Sequence, residues 1–175
     1  MAEVVPGREC RSCMMCCKVL AIKDPELEKP PGIWCQHAVA GKGCGTYDHR
    51  PGLCRRFYCH WMINPALGPE WKPDRAKFVL YGDTPSTKRI DIAVDPAFPN
   101  AWMKEPFFAM IKKWISDGIE RDLIVMVQIG PRYIAVLPNR IVDLGKVDTS
   151  EKVSMKRTMG ENGLDYQICI GSRVY

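Results

Sequence analysis

Eight of the nine cysteines of this 175-residue chain fall in its first sixty residues: Cys10, Cys13, Cys16, Cys17, Cys35, Cys44, Cys54 and Cys59. The first four form the run Cys10-Arg-Ser-Cys13-Met-Met-Cys16-Cys17, three sulfurs at a repeat of three and a fourth directly adjacent. In a compact turn, a C-x-x-C pair brings two thiolates to one side with backbone N–H groups aimed at the sulfurs, which suits a soft cation or an iron–sulfur cluster. Two such pairs overlap here. Cys35, Cys44, Cys54 and Cys59 then return sulfur across loops, as happens when a metal closes distant chain segments. All eight are therefore candidate ligands for Zn2+ or a [4Fe-4S] cluster.

Other uses of so many thiols fit less well. The N-terminus has no apolar stretch followed by a small-residue cleavage site, so a cytosolic address is expected, and a reducing compartment disfavours structural disulfides. Adjacent Cys16 and Cys17 are also poorly placed to bond each other without strain. A thioredoxin-like pair needs a βαβ context that is not visible around Cys10. Burial as small apolar groups suits the isolated Cys169 but not four cysteines in eight residues. Zinc usually takes two knuckles some fifteen residues apart, whereas C-x-x-C-x-x-C followed by another Cys is closer to the run that wraps a cubane cluster. Neither pattern is matched cleanly. Two sites of four sulfurs, one polynuclear site, or one site with spare reactive thiols all satisfy the count.

The order C-x-x-C-x-x-C-C, then Trp34-Cys35-Gln36-His37, then Gly43-Cys44-Gly45-Thr46-Tyr47-Asp48-His49-Arg50-Pro51-Gly52-Leu53-Cys54-Arg55-Arg56-Phe57-Tyr58-Cys59, resembles the CxxCxxCC family of zinc- or iron-chelating cysteine-cluster proteins. The likeness covers about a third of the chain and takes in all eight N-terminal cysteines and the Tyr-x-x-Arg-Pro-x-x-Cys-Arg-x-Phe segment. It implies a bacterial, cytosolic metal-binding module; a similar module accompanies flagellin lysine methylases, where it is regarded as an iron–sulfur site. It implies no activity for a chain like this one, and residues 61–175 resemble no family.

Around the sulfurs, His37, His49 and His60 are read as solvated or hydrogen-bonded loop residues, because eight thiolates already suffice. Arg50 and Arg55 could donate to cysteine sulfurs and tune a centre. Tyr47, Met14, Met15, Trp102 and Trp114 are read as packing residues. The net charge is +5, but residues 1–60 carry nine Lys/Arg against six Asp/Glu and residues 61–175 sixteen against fourteen. A four-thiolate site around one divalent cation has a charge of about −2, so the basic excess around Arg8, Arg11, Lys18, Arg50, Arg55 and Arg56 is mostly offset by the site itself. No basic stripe marks a nucleic-acid face, and no run of about 18 apolar residues marks a membrane span.

The elements that must position these groups follow from periodicity. Residues 1–63 form a loop-rich cysteine-cluster region with one short helix near Arg50–Tyr58, whose Leu53, Phe57 and Trp61 would make a docking stripe. At about 100° per residue, Cys54 and Cys59 would point apart within that helix, and should not share a metal unless the helix ends between them. Residues 64–74 read as a Pro/Gly-rich linker. Beyond it, strands at 77–81 and 89–94 flank a turn-rich segment, Gly82 to Lys88. A helix from Pro106 to Asp117, stopped by Gly118, buries Phe107, Met110, Ile111, Trp114 and Ile115. A hairpin pairs 123–129 with 133–137, and a last strand spans 166–170. A chain of this length can bury about 70% of its unfolded surface, enough for a core without staples. The expected fold is α+β: the loop-rich cysteine region packed on residues 64–175, a small mainly antiparallel sheet with one amphipathic helix. The expected function is metal binding, as a binding or electron-transfer module that contacts a protein partner. The alternative is a redox or transferase enzyme using the cluster or a free thiol; residues 61–175 supply no nucleotide loop, Ser/His/Asp set or paired carboxylates for it.

Overall fold

Glycine and proline punctuate the first sixty residues so often that no element there exceeds five residues. The computed structural model describes residues 3–10, 12–82, 88–147, 153–160 and 163–175. In the cysteine region, helix α1 (Met15–Val19) leads into the two-stranded ladder β1 (Ile22–Asp24) and β2 (Leu27–Lys29), then a second ladder, β3 (Ala38–Val39) and β4 (Gly43–Cys44). Helices α2 (Gly52–Arg56) and α3 (His60–Ile63) close the region. The expected single helix is thus two. It ends at Arg56, with Phe57 extended and Leu53 exposed, so no continuous helical stripe forms, although Phe57 and Trp61 do pack toward the sheet. Proline at position 51 starts the helix, but one turn is too short to present three apolar residues on one face.

The stretch 64–74 is not a linker. It folds into a 3-10 turn, Pro69–Trp71, and helix α4 (Pro73–Ala76), and it drives Leu67 and Trp71 into the main core. Trp71 packs edge-on to Phe78 and Phe107, with ring centroids 5.9 and 4.9 Å away. Proline and glycine here report local backbone geometry, not exposure.

The rest of the chain builds the α+β fold expected. Strands β5 (Phe78–Gly82), β6 (Arg89–Val94), β7 (Ile124–Ile129), β8 (Arg132–Val136) and β9 (Ile141–Lys146) form one sheet in sequential order. All its pairings are antiparallel except β6 with β7, which run parallel because helix α5 (Phe107–Asp117) carries the chain across between them. Residues 83–87 of the expected turn lie outside the described residues. The hairpin β10 (Val153–Gly160) and β11 (Gly163–Ile170), with the short β12 (Arg173–Val174), forms a separate sheet. Strands β9 and β10 escaped notice because neither alternates cleanly between apolar and polar residues.

Alternation along the five strands splits the sheet into two faces. On one face Leu80, Ile92, Val94, Val125 and Val127 pack beneath α5, which buries Phe107, Ile111 and Ile115 at a four-residue spacing. Met110, expected inside, is exposed. The other face is shared. At β5 and β6, Val79 and Ala93 receive the cysteine region through Met15, Val19 and Met62. At β7 and β8, Ile124, Met126 and Ala135 receive the β10–β11 hairpin through Tyr166, Ile168 and Ile170.

Two contacts fix the cysteine region on the sheet. Lys18 at the end of α1 meets the carboxylate of Asp95 at 2.6 Å, just beyond β6, and Asp95 also accepts from the Ala97 N–H. Gly32 donates its N–H to the Val19 carbonyl and lies against Pro96. Its φ of +80° favours glycine, and a Cβ there would come within 3.2 Å of Pro96 Cγ.

Candidate metal centre

The eight N-terminal thiols come from six short segments, and the fold brings seven of them to the wall of one cavity and Cys59 to the wall of another beside it. Two side-chain groupings result. Cys13 and Cys59 are buried with Val19, Met62, Val79 and Ala93, and Cys10 and Cys16 pack against the same cluster. Cys35 is buried with Ile22 and Leu27, and Cys17 and Cys54 pack against those. Cys44, at the end of β4, sits two residues from Thr46, whose hydroxyl is 3.6 Å from its sulfur. The helix that holds Cys54 does end before Cys59, yet the two cysteines still fall in different groupings.

Short backbone bonds hold these loops. Cys35 donates its N–H to the Cys17 carbonyl at 2.8 Å, tying the chain after β2 to α1. The His37 N–H points at the Cys35 sulfur, 3.5 Å away, the polarity expected around a thiolate. Gly45 donates to the His37 carbonyl, closing the β3–β4 turn. The carboxylate of Asp24 receives the Leu53 N–H at 3.0 Å and so anchors the first turn of α2 to β1.

Positive side chains stand beside the sulfurs. Arg50 donates Nε to the Tyr47 carbonyl and stacks 3.8 Å from the Tyr47 ring centroid, which leaves its charge beside Cys10, Cys17 and Cys54. Lys29 is 6% exposed and donates to the carbonyls of Lys18, Leu20 and Pro30. Burial lowers its pKa, and the neighbouring Cys35 and Cys17 sulfurs act to hold it up. Lys29 was not singled out in the sequence, since nothing marks it as buried; Arg50 was. Arg8 and Lys18, counted with the basic excess, are engaged by three backbone carbonyls (Trp61, Asn64 and Leu67) and by Asp95 respectively. Arg11 lies outside the described residues.

As free thiols, these groups are pushed in both directions. The hydrogen bond from Cys16, aided by Arg50 and Lys72, brings Cys10 down to about 7, and Cys16 lowers Cys17 in the same way. Cys16 itself is raised by donating to both. Burial pushes Cys13 up to about 11 and raises Cys54 and Cys59. A bound cation reverses this penalty by neutralising the thiolates directly.

Two adjoining cavities border the sulfurs. The larger, of about 340 Å³, is lined by all the N-terminal cysteines except Cys59; the smaller, of about 240 Å³, is lined by Cys10, Cys13, Cys16 and Cys59. Among the described residues no three His, Cys, Asp or Glu side chains converge at the spacing that would hold a metal ion. The donor set nevertheless fits a thiophilic ion: eight sulfurs, apolar walls, backbone N–H groups and two neighbouring cations. His37 lines the larger cavity, its ring beside the Gln36 amide; His60 bonds the Gly82 carbonyl at 2.7 Å. Cys169 is buried in β11 at the Ser154 register, remote in the fold from the other eight.

The far wall of the larger cavity belongs to the sheet, and the sequence reading missed it. Tyr81 and Asp91 are register partners across β5 and β6, and Gln128 and Tyr133 across β7 and β8. Together with Arg89 they line the larger cavity opposite the cysteines. Asp91 is 7% exposed and accepts from Arg89 Nε at 2.9 Å; burial raises its pKa against the pull of that guanidinium. The signal was present in β6, where charged residues at 89 and 91 alternate with isoleucines in a strand that must bury both faces. No protein-family model, curated protein or solved structure matches the chain.

Proposed function

We propose that this protein is a metal-binding module that holds zinc or an iron–sulfur centre through Cys10, Cys13, Cys16, Cys17, Cys35, Cys44, Cys54 and Cys59. The observation that carries this reading is the gathering of eight thiols from six chain segments beneath one lobe, facing two adjoining cavities, with Arg50 and Lys29 beside them. Buried thiols alone would not need compensating cations; thiolates would. When bound, zinc would act as a structural or Lewis-acid centre, and an iron–sulfur cluster would carry one electron at a time. The chain's part is to deprotonate and orient sulfur, shield it with Leu20, Ile22, Leu27 and Phe57, and set the local charge through Arg50 and Lys29. The motif likeness to the CxxCxxCC family supports the same reading.

A role in electron transfer or docking fits the rim of the lobe. Ile33, Trp34 and Leu53, each at most two residues from a cysteine, are exposed and offer a protein partner contact area near the sulfurs.

A second reading, an enzyme, is favoured by one observation: the Arg89–Asp91 pair, Gln128, Tyr81 and Tyr133 face the sulfurs across the larger cavity. Those groups could hold a small polar substrate against the centre.

Native thiol counting tests the metal-binding reading. Chain purified without oxygen should show the eight N-terminal thiols resistant to alkylation until a chelator is added. Eight thiols that react at once, with no chelator, would contradict it.

A further inference from the structure

We infer that the eight sulfurs form two separate four-thiolate sites built back to back on α1: Cys10, Cys13, Cys16 and Cys59 in one, Cys17, Cys35, Cys44 and Cys54 in the other. This rests on the metal-binding reading above and refines it, since one polynuclear centre or one centre with spare thiols would use the same cysteines.

Three observations bear on the division; Cys44 belongs to neither packed cluster and is placed by its cavity and its nearness to Cys54. The first is packing: the Cys13 and Cys59 cluster, which Cys10 and Cys16 join, presses on Val79 and Ala93 of the sheet, while the Cys35 cluster, which Cys17 and Cys54 join, sits under β1 and β2. The second is space. The smaller cavity is lined by all four members of the first set and by none of the second; the larger is lined by all four of the second together with Cys10, Cys13 and Cys16, and omits Cys59. The third is chain geometry. Cys16 and Cys17 are consecutive in a helix, so their Cα–Cβ bonds leave α1 about 100° apart, and although the Cys16 thiol reaches both Cys10 and Cys17, adjacent residues can serve two neighbouring sites that meet at that contact. The remaining ligands follow from this. Residues 10 and 13 precede α1 and Cys59 immediately precedes α3, with Cys13 and Cys59 packed on the sheet side. Cys35 is tied to the Cys17 carbonyl, Cys44 ends the β3–β4 ladder, and Asp24 anchors α2, which carries Cys54, to β1.

Charge is arranged to match. Each set of four thiolates around a divalent ion or a cubane cluster holds about −2, so the pair needs cations on both sides and between. Lys72 neighbours Cys10 in the first set. Lys29 is buried beside Cys35, Cys17, Cys16 and Cys54, three of them in the second. Arg50 lines both cavities and stands near Cys10 of one set and Cys17 and Cys54 of the other, a counter-charge common to the two.

The test is an anaerobic titration of the full-length, metal-stripped chain with Co2+, read by the thiolate-to-cobalt charge-transfer band. The wild type should take two equivalents. Cys13→Ser and Cys59→Ser, singly or together, should each leave one; Cys35→Ser and Cys44→Ser, singly or together, should also leave one; Cys13→Ser with Cys35→Ser should leave none. A wild-type endpoint at one equivalent, or any single substitution that removes all binding, overturns the two-site assignment while leaving metal binding intact. A wild type that binds no cobalt overturns the metal-binding reading itself. Should the serine variants misfold, the wild type alone decides. At half saturation, alkylation and intact mass should show molecules with four of the eight thiols protected. A mixture only of fully protected and fully modified molecules would contradict the assignment.

Discussion

Arg50 and the raised thiols carry the most direct consequences at the level of single residues. Cys13, Cys16, Cys54 and Cys59 all have pKa values above the ordinary thiol range, so each is protonated at neutral pH in the metal-free chain. A cation must displace those protons. Loading at about pH 7.5 should therefore release at least four protons per chain, measurable with an indicator dye, and apparent affinity should climb as pH rises towards the value of about 11 at Cys13. Loading without proton release would mean that the metal binds elsewhere. Arg50→Ala removes the charge nearest both sets of sulfurs and should weaken metal binding by roughly 10- to 100-fold, in the range seen when groups that support ligands are lost. Lys29→Met should weaken it too, and more for the sulfurs of Cys17, Cys35 and Cys54 than for those of Cys13 and Cys59. The cysteines and Arg50 were legible in the sequence as a group because residue type and spacing mark them out. Lys29 and Asp91 were not, because a buried ionised side chain is defined by what packs over it.

Single elements explain why the site sits where it does. Alternation in β5 and β6 sends Leu80, Ile90 and Ile92 to α5 and leaves Val79, Ala93, Tyr81 and Asp91 for the cysteine region. That division follows from a two-residue period and was half visible: the strands were expected, but not that both faces are covered. The expected α5 stripe holds at Phe107, Ile111 and Ile115 and fails at Met110, which lies on the flank of the helix. The Arg50–Tyr58 helix breaks in two, since five-residue helices are set by tertiary contacts and not by their own propensity. Removing the contacts that seat the lobe tests their importance. Lys18→Met strands the nearly buried Asp95 carboxylate and should cost about 3 kcal/mol of folding free energy by urea denaturation. Gly32→Ala places a Cβ against Pro96 in a left-handed backbone and should cost about 1–2 kcal/mol. If either variant matched the wild type in stability, the lobe would not be held by these contacts.

For the molecule as a whole, the fold reads as a sheet with one face given to its own helix and the other divided between a cysteine lobe and a hairpin. The cysteine lobe leaves a cavity between its sulfurs and the polar residues of β5 to β8. Residues 64–74, expected as a boundary, instead join the two regions into the main core through Leu67 and Trp71. Composition concealed this, because proline and glycine mark turns whether those turns are exposed or buried. No helix among the described residues is long and apolar enough to cross a membrane. On the proposed assignment, ligands drawn from residues 10 to 59 would close loops over most of the lobe, so metal-binding free energy would also be folding free energy. Chelation should unfold the lobe and leave the α5 core, with Ile111, Val125 and Val127 fully buried, protected from hydrogen exchange. Equal protection in both regions after chelation would separate metal from folding.

The most direct measurement is elemental analysis joined to an absorption spectrum on protein purified under reducing, oxygen-free conditions. Stoichiometric zinc in a colourless sample, or iron with sulfide and broad visible absorbance in a brown one, is the expected result. A folded preparation holding neither metal would contradict the assignment of these sulfurs as ligands.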